Sequence, residues 1–175
     1  MCRPARAGLV ALASIAGVAC LASCGGPSAA DRANATNPAC ALVTSAQAGH
    51  VLGRRAIANG ARAGAPGESV CTWRAASSQG SAGSFEVLLY QSTSAVQTFR
   101  SELAAPAAPV TAISIGGVRA LWRPAAEGAG GEAFVSAVGG GRLVTVAASG
   151  GVGGADAAAK SAMAVALATL RSGSG

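Results

Sequence analysis

The spacing of apolar residues along the chain alternates between the period of a helix and the period of a strand. Three segments have the helical period, and they span residues 45–52, 93–103 and 155–171. The first opens with a capping box at Thr44-Ser45-Ala46-Gln47 and stops at Gly53. The third is rich in alanine and carries a narrow apolar stripe, formed by Ala159, Met163, Ala166, Leu167 and Leu170. The pattern therefore predicts three helices.

The intervals between these helices have the two-residue period of strands or contain short extended apolar runs. A weak strand and a loop are predicted over 54–68, and clearer strands over 69–75, 84–91, 110–115, 118–123, 133–138 and 142–148. Residues 84–91 carry apolar side chains on both faces, which is typical of a central strand covered on both sides. Because the links are of hairpin length, we expect an α+β fold, a single domain with a mainly antiparallel sheet packed with three helices.

The amino terminus has a different pattern. Arg3 and Arg6 precede an uncharged apolar run of about 16 residues. That length is short of the roughly 20 residues that a membrane-spanning helix needs, and it suits a signal peptide. The run closes with Leu21-Ala22-Ser23-Cys24, which resembles a bacterial lipobox. We therefore predict a signal peptide over 1–23 and lipid attachment at Cys24. The alternatives are an ordinary secretory signal with a plain thiol, and a permanent membrane helix.

Small and polar residues with two prolines follow the lipobox. This composition is typical of a flexible tether, predicted over 24–39. A globular domain is then expected over 40–171 and a disordered tail over 172–175. Asn34-Ala35-Thr36 matches an N-glycosylation sequon, but a lipobox implies a bacterial chain, in which that match carries little weight. O-glycosylation of Thr36 stays open.

Five cysteines give a simple pairing argument. Cys2 and Cys20 leave with the signal peptide, and Cys24 is acylated. Cys40 and Cys71 then remain in an oxidising compartment, where an even remainder predicts one disulfide. Closing the loop of about 30 residues between these two cysteines would stabilise the fold by ~3–4 kcal/mol in the chain-entropy model. The alternative is two buried free thiols.

Charge and composition exclude one class of function. Once Arg3 and Arg6 are removed, 11 of the 13 basic residues remain against 7 acidic ones, a net charge of about +4. The arginines are scattered, and Arg54-Arg55 is their only adjacent pair. A nucleic-acid-binding protein would show a clustered basic face, so no nucleic-acid partner is predicted. Alanine and glycine dominate, and the core is expected to be modest and tightly packed.

Two glycine motifs resemble phosphate-binding loops and do not fit them. Gly150-Gly151-Val152-Gly153-Gly154 lacks the spacing of a dinucleotide fingerprint. Residues 154–161 are one residue short of a P-loop, with Ala159 in place of its glycine. Because alanines propagate a helix, we interpret this segment as a capped helix with a solvated Lys160 and predict no cofactor.

Candidate catalytic chemistry is sparse. His50 is the only histidine, so no histidine metal cluster is predicted. A serine-type triad would need an acid beside His50, and no serine sits in a G-x-S-x-G turn. We therefore predict no catalytic, cofactor-binding or metal-binding residue. Trp73, Tyr90 and Trp122 are candidate pocket-lining residues, with core packing as the alternative for all three.

Several segments together resemble a family of short, uncharacterised actinobacterial lipoproteins. They are the lipobox with its tether, Cys40-Ala-Leu-Val-Thr44 before a short helix, Cys71-Thr-Trp73, and the glycine turn and aromatic of residues 115–122. The resemblance covers roughly residues 38–171 and departs at Val118-Arg119, where that family has an acidic residue. It implies a disulfide-tied α+β domain on the outer face of the membrane and brings no known activity.

These observations favour a non-enzymatic protein at the extracytoplasmic face of the cell membrane, anchored through Cys24. Its domain is expected to bind a small apolar or lipidic ligand, or a protein partner in the cell envelope. One alternative is a structural or regulatory interaction module without a small-molecule site. Another is a hydrolase with a cryptic site, which would need His50 beside an acid and a nucleophile in one cleft.

Overall fold

The computed structural model of the chain describes residues 34, 36–63, 67–76, 83–126 and 131–173. The predicted signal peptide over 1–23 and the predicted lipid-attachment residue Cys24 lie outside these residues, as do most of the predicted tether and the last two residues of the predicted tail. Across the described part of the chain, no helix is long and apolar enough to span a bilayer.

Three α-helices, seven strands and one short 3-10 turn make up the described residues. The 3-10 turn is Cys40–Leu42, and the helices are α1 (Ser45–Leu52), α2 (Thr93–Ala104) and α3 (Ala155–Ser172). The strands are β1 (Ala56–Ala63), β2 (Glu68–Ala75), β3 (Ser84–Tyr90), β4 (Thr111–Ile115), β5 (Val118–Arg123), β6 (Ala133–Gly139) and β7 (Arg142–Ala148). These bounds confirm the predicted elements to within a few residues.

The strands form one antiparallel sheet in the order β1-β2-β3-β7-β6-β5-β4. Two meanders compose it: β1 to β3 run consecutively, and β4 to β7 run consecutively after α2. They join where β7 pairs with β3, so that Val87 stands opposite Val146 in the middle of the sheet. The predicted α+β domain with a mainly antiparallel sheet and three helices is confirmed.

The main hydrophobic core lies between one face of the sheet and the helices α1 and α3. Phe85, Val87 and Leu89 of β3 point into it, as their alternation predicts. All five residues of the predicted apolar stripe on α3 are buried there as well. Helix α3 lies so close to the sheet at Gly139 that a Cβ there would meet Leu167 Cδ2 at 3.0 Å.

Helix α2 covers part of the opposite face of the sheet. It packs against β7 and β5, and its Val96 and Phe99 are buried outside the main core cluster. Val70 and Leu121 are also buried outside that cluster, and each is adjacent in sequence to a core residue. Because successive strand side chains point to opposite faces, these residues belong to a second, smaller apolar layer on the face of the sheet that α2 partly covers.

The amino-terminal end of the domain is fixed to the sheet by a disulfide and by side-chain hydrogen bonds. Cys40 and Cys71 are bonded, with their Cα atoms 5.0 Å apart, which confirms the predicted pairing. Asn37 Oδ1 accepts from the backbone N–H of Ala39 at 2.9 Å, and Asn37 Nδ2 donates to the Val70 carbonyl at 3.3 Å. Ala39 is fully buried. Packing against the sheet therefore already includes Asn37, three residues before the expected domain start.

Candidate functional site

A groove of about 1000 Å³ opens between α1 and the edge strand β1. Its walls come from the 3-10 turn, α1, the link to β1, and the first residues of β1, and its floor includes Trp73 from β2. We call this the α1–β1 groove. Its lining residues are Asn34, Cys40, Ala41, Val43, Thr44, Ser45, Ala46, Gly49, His50, Gly53, Arg54, Arg55, Ala56, Ile57, Ala58 and Trp73.

Local sequence signals set the position of α1 beside β1. The capping box is formed, since Gln47 N–H donates to Thr44 Oγ1 and Thr44 N–H donates to Gln47 Oε1. Gly53 ends the helix with a φ of 69°, in the left-handed region that glycine adopts at low cost. A Cβ at Gly49 would stand 3.2 Å from the Arg54 carbonyl oxygen. The absent side chain thus allows the link to fold back against the helix.

The floor of the groove is apolar and contains one buried donor. Trp73 is 3% exposed, and Val43 and Ala56 beside it are buried. Among the described residues, no acceptor lies within hydrogen-bond distance of the Trp73 indole nitrogen. The nitrogen itself is buried, and leaving such a donor unsatisfied costs about 1–3 kcal/mol.

Basic and polar side chains surround the groove mouth. His50, Arg54 and Arg55 are all exposed, and Ile57 beside them keeps 54% of its surface accessible. None of the described lining residues is an aspartate or a glutamate. The mouth therefore carries positive charge without a neighbouring carboxylate among its own lining residues, which favours an anionic group there.

His50 lies on α1 with its side chain exposed. The acid that would orient it in a triad is not among the described lining residues of the groove. Over the described ranges, no group of three or more His, Cys, Asp or Glu side chains is placed to hold a metal ion. His50 is therefore part of the basic mouth.

Trp122 lies away from the groove, against the first turns of α3. Its indole N–H donates to Asp156 Oδ1 at 3.1 Å, and the same oxygen accepts from the Ala125 backbone N–H at 3.1 Å. Lys160 Nζ stands 3.6 Å from the centroid of the Trp122 ring. The expectation of a solvated lysine is therefore wrong, because the strand β5 presents an aromatic face one turn along the helix from Asp156.

Tyr90 lies at the end of β3, on the face of the sheet opposite the main core, and is half-buried. Burial raises the pKa of the Tyr90 hydroxyl above its ordinary value of 10.0, and the carboxylates of Glu68 and Glu86 raise it further. This phenol stays neutral well into the alkaline range. Of the three aromatic residues singled out by the sequence, Trp73 lines the α1–β1 groove, and Tyr90 and Trp122 lie elsewhere.

Replacing Asp156 by alanine should lower the free energy of unfolding by about 2–3 kcal/mol, because two donors lose a charged acceptor at once. Urea denaturation followed by circular dichroism measures the change. Asp156→Asn is the matched control, because it keeps an accepting oxygen. Its free energy of unfolding should fall clearly less. Equal losses in the two variants would contradict the role assigned to this oxygen.

Comparisons with protein families, curated proteins and solved structures found no match.

Proposed function

We propose that this chain is an extracytoplasmic lipoprotein, held at the membrane through Cys24, whose domain binds an apolar or lipidic ligand in the α1–β1 groove. The observation that carries the binding proposal is the groove itself. It has a buried aromatic floor at Trp73, small apolar side chains in its walls, and a side that is open to solvent. Ligand sites are typically concave, mostly apolar and equipped with a few polar groups.

Two features of the sequence support the anchor. A positive amino-terminal segment and a short apolar run end at Leu21-Ala22-Ser23-Cys24, the pattern of a lipobox. The Cys40–Cys71 disulfide agrees with export, because disulfides persist in oxidising compartments. Two or three acyl chains, at ~0.8 kcal/mol per buried methylene, would make the attachment stable where a single chain would be marginal.

A protein partner in the envelope is the second candidate, and one observation favours it. Ile57 and Val152 are large apolar side chains that are more than half exposed. Ile57 lines the groove mouth, and a Cβ at Gly53 in the groove wall would stand 2.7 Å from Val152 Cγ2. Both therefore lie at the same end of the domain, where a partner could cover them together.

The anchor is tested by the intact mass of protein purified from membranes. We expect a chain that begins at an acylated Cys24, and a Cys24→Ala variant that leaves the membrane fraction. In the same sample, Cys40 and Cys71 should react with an alkylating reagent only after reduction. An unmodified chain cleaved at another position would contradict the lipoprotein proposal.

The ligand is tested on the Cys24→Ala chain purified without detergent. Organic extraction and mass spectrometry should recover a lipid in amounts approaching one per chain. A Trp73→Ala variant that still folds should lose it. Recovery of an envelope protein with no lipid would instead support the second candidate.

A further inference from the structure

We propose that the α1–β1 groove binds a single-chain anionic amphiphile, with its acyl chain along Trp73 and its carboxylate or phosphate head at Arg54 and Arg55. This inference rests on the proposed ligand-binding function and adds the head-group charge and the orientation of the ligand.

The head-group assignment comes from the two adjacent arginines at the mouth. Neither guanidinium makes a hydrogen bond or an ion pair with any residue that the structure describes. Arg123 and Arg171, by contrast, are engaged: Arg123 lies 4.0 Å over the Phe134 ring, and Arg171 donates to the Gly116 carbonyl. Guanidinium groups bind carboxylates and phosphates through paired hydrogen bonds, and Arg54 and Arg55 remain available to do so.

The acyl-chain assignment comes from the wall between the mouth and the floor. Small side chains form most of this wall, including Ala46, Gly49, Ala56 and Ala58. These small side chains give this part of the wall an apolar surface. The volume of about 1000 Å³ lies at the upper end of the ~300–1,000 Å³ range of small-molecule sites. A flexible hydrocarbon chain fits a groove of this volume with an apolar wall.

The position of the groove relative to the predicted anchor supports a lipid source. Asn34 lines the groove and stands ten residues after Cys24. Ten residues span at most about 35 Å when fully extended. A domain anchored through Cys24 therefore keeps the groove mouth within a few tens of ångströms of the bilayer surface, which would supply such a lipid.

Quenching of tryptophan fluorescence by brominated lipids tests the proposal, because the chain has two tryptophans and only Trp73 lines the groove. The protein is the full mature chain with Cys24→Ala. The probes are 9,10-dibromostearic acid, its neutral methyl ester, and a lysophosphatidylglycerol that carries the same brominated chain. Trp122→Phe leaves Trp73 as the reporter, and Trp73→Phe leaves Trp122. We expect quenching of Trp73 and none of Trp122. The chain with both tryptophans repeats the titration, so that the result does not depend on either variant folding.

The charge variants isolate the head group. Arg54→Gln/Arg55→Gln should raise the Kd of the acid about tenfold, equivalent to about 1.4 kcal/mol, and leave the Kd of the ester unchanged. The matched control is Arg100→Gln/Arg142→Gln, which removes two exposed arginines outside the groove and should change neither. If the fatty acid binds more tightly than the lysophospholipid, the preferred head group is a carboxylate. If the lysophospholipid binds more tightly, it is a phosphate.

The remaining outcomes separate the two proposals. Equal affinity for acid and ester, or no effect of the Arg54/Arg55 substitutions, overturns the head-group inference and leaves apolar ligand binding intact. If no probe quenches Trp73, both the head-group inference and the proposed ligand-binding function are overturned.

Discussion

Replacing both Cys40 and Cys71 by alanine should lower the free energy of unfolding by about 3–4 kcal/mol. The bond joins residues 31 positions apart, and opening a loop of that size restores conformational entropy to the unfolded chain. Urea denaturation of the parent and the double variant measures the loss. Because Cys40 also lines the α1–β1 groove, affinity for the brominated fatty acid should fall in the same variant.

Reduction provides the control for the disulfide prediction. The parent chain should lose the same stability when a thiol reductant is added, and the double variant should be insensitive to that reductant. A loss in the variant that the reduced parent does not share would point to a packing defect at the alanines. A difference well under 1 kcal/mol in both comparisons would contradict the predicted contribution of the bond.

Phe85→Ala should destabilise the domain by about 3–5 kcal/mol, the range for removing a buried aromatic side chain and leaving a cavity. Phe85 is 1% exposed and stands opposite Trp73 on one side and Ala148 on the other. Small alanine side chains on the facing α3 cannot refill the space, so relaxation of the cavity should be limited. Chemical denaturation at equilibrium measures the loss.

Phe134→Ala is the matched substitution on the opposite face of the sheet. Phe134 is half-buried and contacts the guanidinium of Arg123, so the same change in volume there should cost clearly less. Equal losses at the two positions would contradict the assignment of the main core to the face that α3 covers.

Local signals account for the accuracy of the predicted elements. The capping box and Gly53 fix both ends of α1, alternation over Cys71, Trp73 and Ala75 identifies β2, and an apolar run on both faces identifies β3. β1 is the weakest prediction, because it is rich in alanine and contains Gly60. Pairing with β2 holds it in the sheet, with a shift of register between Ala58 and Ala61. Strand formation there depends on the neighbouring strand more than on intrinsic propensity.

The sequence pattern could not predict which elements distant in sequence pack against each other. Nothing local to β3 or β7 indicates that they pair across the centre of the sheet. The same limit applies to the groove: Arg54-Arg55 stands out in the sequence as an adjacent basic pair, but its place in one groove with Trp73 depends on α1 folding back beside β1. Lys160 likewise finds Trp122 only after α3 packs on the sheet.

The disulfide would also decide how mechanical load from an anchor at Cys24 passes through the domain. Tension on a tether leading to Cys24 would pass at Cys40 directly into β2, a strand paired on both sides. Helix α1, strand β1 and the basic mouth of the groove at Arg54 and Arg55 lie within the covalently closed stretch between Cys40 and Cys71. The force would bypass them, so this mouth would keep its shape while the protein is pulled against the membrane.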